Sequence, residues 1–133
     1  MSAAILKQHN PLSWLFAAIF GVFLAACGGG TDDDIIPDTI TIQSFDGPET
    51  VSSGASVSER AVVIRTGNIN NSDLAYSWAQ QSGPAVLNLA GTDTSTITFT
   101  APTVTATTAV VFKVTVTGRG HTEFKDRTIT IQP

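Results

Sequence analysis

Val110 to Thr117 reads VVFKVTVT, and the alternation within it decides the fold class. In an extended chain Phe112, Val114 and Val116 fall on one face, with Lys113, Thr115 and Thr117 on the other. The flanking sequence repeats the pattern in both directions. Upstream, Ser95 to Thr100 (STITFT) turns Ile97 and Phe99 to one face before Ala101-Pro102 stops the run. Leu74 to Gln80 (LAYSWAQ) does the same with Leu74, Tyr76 and Trp78. Val86 to Leu89 forms a brief run between the breakers Ser82-Gly83-Pro84 and Gly91-Thr92-Asp93. Arg60 to Thr66 and Thr39 to Gln43 supply two earlier strands, and the last strand ends in Thr128 to Ile131 after the Gly118-Arg119-Gly120 turn. Asp46-Gly47-Pro48 and Ser52-Ser53-Gly54 read as turns. About seven short strands separated by turn signals predict an all-β, antiparallel two-sheet sandwich. Tyr76, Trp78, Phe99 and Phe112 are its expected core.

The first 38 residues follow different rules. Residues 1 to 11 carry Lys7 and no acid, and an apolar run of about fifteen residues follows from Leu12 to Ala26, the size of a signal-peptide core. It is shorter than the ~20 residues that cross a bilayer. The run ends in Leu24-Ala25-Ala26-Cys27, with Gly28-Gly29-Gly30 next. Cys27 is the single cysteine of the chain, so the domain has no internal disulfide to rely on. This stretch resembles a bacterial lipobox. The resemblance implies a helical signal peptide over 1–26, recognition of Leu24, Ala25 and Ala26 by signal peptidase II, and a mature N-terminus at Cys27 carrying S-diacylglyceryl and N-palmitoyl groups. Each buried methylene contributes roughly 0.8 kcal/mol, and one chain alone holds weakly, so multiple acylation is what makes such an anchor durable. By the same resemblance Gly28, standing where an Asp would direct retention in the inner membrane, points to the outer membrane.

Residues 27–38 read as the lipidated cysteine and a flexible acidic tether, with Asp32, Asp33, Asp34 and Asp38 opposing one another and Pro37 opposing helix. Three consecutive acids lack the carbonyl ligands and loop geometry calcium takes, so no metal is expected there. The net charge of -4 argues against a nucleic-acid role, which calls for a basic face. Downstream of Cys27 the lone histidine is His121, and no nucleophile elbow or multi-histidine set accompanies it, so neither catalysis nor a cofactor is expected.

Three separated segments carry a second resemblance. They are Tyr76-Ser77-Trp78-Ala79-Gln80-Gln81-Ser82-Gly83-Pro84, Thr98-Phe99-Thr100-Ala101-Pro102, and Phe112-Lys113-Val114-Thr115-Val116-Thr117. Their order and spacing are similar to PKD-like domains of the REJ type, over residues 39–133. The likeness implies an Ig-like fold used as an extracellular spacer, adhesion module or carbohydrate-associated module. Two functional expectations follow. One is an envelope lipoprotein presenting a single Ig-like module to a protein partner or as a spacer; the other is a module binding a glycan or small ligand. Contact residues are expected in the loops, where sandwich folds carry recognition. Those loops hold Asn68, Asn70, Asn71 and Asp73 in one case and Arg119 and His121 in the other. The sequence leaves open whether they share an end of the sandwich. Phe45 and Phe124 are the two aromatics whose side, core or surface, the pattern does not assign.

Overall fold

The alternating runs pair into two four-stranded sheets in a computed structural model that describes residues 35–133. The expected signal peptide, Cys27 and the tether as far as Asp34 lie outside the described residues. The strands are β1 (Thr39–Asp46), β2 (Thr50–Ser52), β3 (Ser56–Thr66), β4 (Ala75–Ser82), β5 (Leu87–Ala90), β6 (Thr96–Thr100), β7 (Thr108–Gly118) and β8 (His121–Gln132). One sheet has the order β1-β3-β6-β5 and the other β2-β8-β7-β4. Their inner faces share one core, giving a β-sandwich-like architecture.

The period of two predicts that core well. Ile97, Val110, Phe112, Val114, Val116, Ile129 and Ile131 are fully buried, and Phe99 is nearly so. Burying each such side chain contributes roughly 1.5–3 kcal/mol. The sheets meet through aromatic pairs: Phe99 of β6 lies 5.1 Å from Phe112 of β7 between ring centroids, and Phe45 of β1 lies 5.9 Å from Trp78 of β4. Trp78 is 4% exposed, and its indole N–H donates to the Thr94 carbonyl at 3.0 Å. Tyr76 is half-buried rather than central.

The structure departs from the expected pattern at four places. The described residues form eight strands, because β2 forms where the sequence pattern places the start of a turn. The chain does not reverse at Gly47. It crosses from the first sheet to the second while keeping its direction, and so meets β8 running the same way. The β2–β8 pair is therefore parallel, with Val51 opposite Ile131, whereas all other pairs are antiparallel. β3 begins at Ser56, four residues before the expected start, which places Glu59 on its inner face between Val57 and Ala61. β1 carries a bulge between Ile42 and Ser44. The extra residue shifts the parity, so that Phe45 turns inward to Trp78. Lys125 Nζ donates to the carbonyls of Ile42 (3.2 Å) and Gln43 (3.0 Å) at that bulge. Phe124, by contrast, is 65% exposed, with Lys113 Nζ 5.2 Å above its ring.

Candidate functional site

The expected contact loops come together at one end of the sandwich. β3 ends and β4 begins there, and the two-residue turn Arg119-Gly120 joins β7 to β8 at the same end. Both turn residues have positive φ, 47° and 81°, the twist a tight hairpin needs. Arg119 then reaches across to the other loop and its Nε pairs with Asp73 Oδ2 at 3.2 Å. Asp73 closes a single 3-10 turn, Asn71–Asp73, and its carboxylate also accepts the Asn70 N–H at 2.9 Å. That backbone hydrogen bond, assisted by Arg119, holds the Asp73 carboxyl below its ordinary pKa.

The 67–73 segment is more than a polar loop. Ile69 is 4% exposed and plugs the end of the core, which fixes the polar residues around it. The chain entering β1 is tied to the same place. The Asn68 N–H donates to Asp38 Oδ1 at 2.7 Å, and Thr66 Oγ1 donates to the Pro37 carbonyl at 2.6 Å. Gly67, at φ 70°, lies so close to Asp38 that a side chain there would displace it. Asn68, Asn70, Asn71, Asp73, Arg119 and His121 thus share the end at which residues 35–38 arrive. Asn71 and His121 are exposed.

A groove opens on the side of the sandwich next to this end. β6 starts at Thr96, opposite Arg60, so β3 beyond Ala61 has no neighbour on that side. The gap faces Tyr76 on β4 and forms a concavity of about 410 Å³ lined by Arg60, Arg65, Asn71, Tyr76 and Ser95. Burial raises the pKa of the Tyr76 hydroxyl, and the charges of Arg65 and Arg60 oppose that shift. Among the described residues neither arginine forms an ion pair; the pairs there are Arg119–Asp73, Arg127–Glu49 and Arg127–Glu59. Sequence reasoning missed both arginines. They stand five residues apart on β3, on opposite faces by strict alternation, and nothing local says that both reach one opening.

Glu59 and Arg127 were also missed. Glu59 is fully buried, and Arg127 holds it with two hydrogen bonds, Nε to Oε2 and Nη2 to Oε1, both 3.2 Å. Arg127 Nη2 also donates to the Gly47 carbonyl at 3.0 Å. This pair braces the crossing of β1 to β2, and Gly47 has no room for a side chain against the Glu59 carboxylate. The signal that could have found it is parity, since Glu59 alternates with Val57 and Ala61. No group of three or more metal-ligating side chains forms among the described residues.

No protein-family pattern and no curated protein matches the chain. Among solved structures it is similar to a nucleoside hydrolase-related hypothetical protein from Saccharophagus degradans associated with carbohydrate metabolism, at 18% identity and a TM-score of 0.44. The match covers 62% of this chain and 21% of that one, so the chain spans about a fifth of its length.

Proposed function

We propose that this protein is a lipid-anchored lipoprotein of the bacterial cell envelope, at the outer membrane, whose folded part is one Ig-like, PKD-like module. Its role is contact with an envelope protein or structural and adhesive spacing, without catalysis. The observation that carries this reading is the placement of Leu24-Ala25-Ala26-Cys27, directly after the apolar run and a short acidic stretch before β1. The two sheet orders, β1-β3-β6-β5 and β2-β8-β7-β4, support the Ig-like assignment, because they include an edge strand that switches sheets. So do the positions of the motif residues: Trp78 fills the core and Gln80 holds the Ser82-Gly83-Pro84 turn.

The anchor is tested by labelling cells with palmitate. Wild type is expected to take up label and Cys27→Ser is not; equal labelling of both would defeat the anchor. The contact role is tested by crosslinking the full-length protein in envelopes. Recovery of a defined protein partner is expected, and recovery of polysaccharide alone would overturn that choice.

A further inference from the structure

We infer that the groove between β3 and β4 binds an acidic saccharide, with Arg60 and Arg65 taking its carboxylate and Tyr76 offering a flat face to a sugar ring. The inference deepens the glycan-binding alternative and does not depend on the anchor, since neither Cys27 nor a membrane enters its test.

The first support is a contrast within the same sandwich. Arg127 points to the interior and is met there by a buried carboxylate. Arg65, on the inner-facing parity of β3 with Val57, Glu59, Ala61 and Val63, is given no acid among the described residues. Asp73, the acid of the 67–73 loop, is already engaged by Arg119 and the Asn70 N–H. Asp46 stands opposite Arg60 across the β1–β3 ladder and forms no ion pair with it. Both arginines therefore line one opening, and among the described residues neither is held in an ion pair, in a chain whose net charge is -4. Guanidinium forks suit a carboxylate, which accepts two parallel N–H bonds.

The rest of the lining selects what carries that carboxylate. Asn71 and Ser95 supply neutral donors and acceptors for hydroxyls, and the half-buried ring of Tyr76 supplies an apolar face with a polar edge. At about 410 Å³ the groove falls within the roughly 300–1,000 Å³ of small-ligand sites. Nucleic acid is a poorer fit, because it needs a basic track along the surface and the described lining offers one pair of cations.

The test titrates the full-length protein, in detergent micelles, with digalacturonate, its fully methyl-esterified form and inorganic phosphate, following heat by calorimetry. Digalacturonate is expected to saturate one site, with the ester and phosphate each at least about tenfold weaker, as for losing a charge-assisted bond. Arg60→Gln and Arg65→Gln are expected to weaken digalacturonate by about tenfold or more each, with unchanged urea midpoints, while Tyr76→Phe keeps most of the affinity. Arg60 is exposed, so its variant carries the test alone if Arg65→Gln does not fold. Absence of saturation, equal binding of acid and ester, phosphate as tight as the sugar acid, or Arg60→Gln binding like wild type overturns the assignment.

Discussion

Glu59 and Arg127 are joined across the two sheets, 68 residues apart in the chain. Burial pushes the Glu59 carboxyl above its ordinary pKa, and the hydrogen bonds and charge of Arg127 pull it part of the way back. A carboxyl raised in the folded state binds its proton more tightly there than in the unfolded chain. Its contribution to stability is therefore full below the unfolded pKa, roughly 4.3, and is lost as pH rises through the raised folded value. Glu59→Gln is expected to remove that part of the decline in urea midpoint with rising pH; an unchanged profile would contradict it. Arg127→Met strands the carboxylate and should cost about 3–5 kcal/mol at neutral pH, and less in acid, where Glu59 takes up a proton. Trp78 is a simpler case. Truncation to Ala leaves a cavity between the sheets and should cost about 3–5 kcal/mol, a large share of a total of ~5–15 kcal/mol. Its check is equilibrium denaturation with far-UV circular dichroism, since the variant removes the one indole among the described residues.

At the scale of elements, the turn after β4 shows why its residues occur together. Gln80 lies on the inner parity of Tyr76 and Trp78, just before a bulge between Gln80 and Ser82. Its Nε2 donates to the carbonyls of Ser82 and Gly83, both at 3.3 Å, and of Pro84 at 2.8 Å, while its Oε1 accepts the Val86 N–H at 3.2 Å. One side-chain amide thus stands in for the ladder partners that the chain loses on leaving the sheet. Gln80→Ala should cost about 1–3 kcal/mol, measured by urea denaturation, and should speed amide exchange at Val86. The loop over β4 works in the same way. Thr92 accepts the Trp78 backbone N–H at 2.8 Å, so the Gly91–Ser95 segment covers an edge that would otherwise be open.

For the whole molecule, chain direction sorts the surface into two ends. Residues 35–38 arrive at the end that holds Asn68, Asp73 and Arg119, and the β1–β2 crossing and the β4–β5 turn lie toward the other. Local pattern alone specifies the β class, the inward faces of β4, β6 and β7, and most turns. Those follow from a period of two and from Gly, Pro and Asn, which act within a few residues. It did not reveal the bulge that turns Phe45 inward, the parallel β2–β8 pair, the Glu59–Arg127 brace or the convergence of Arg60 and Arg65 on one groove. These arise from the assembled sheets, because each depends on which strands become neighbours. A one-residue bulge or a missing neighbour on β3 changes where a side chain points without leaving a mark in local pattern. The shared end of the two loops is of the same kind, set by the β4–β7 pairing, which brings Asp73 and Arg119 together across 46 residues of sequence.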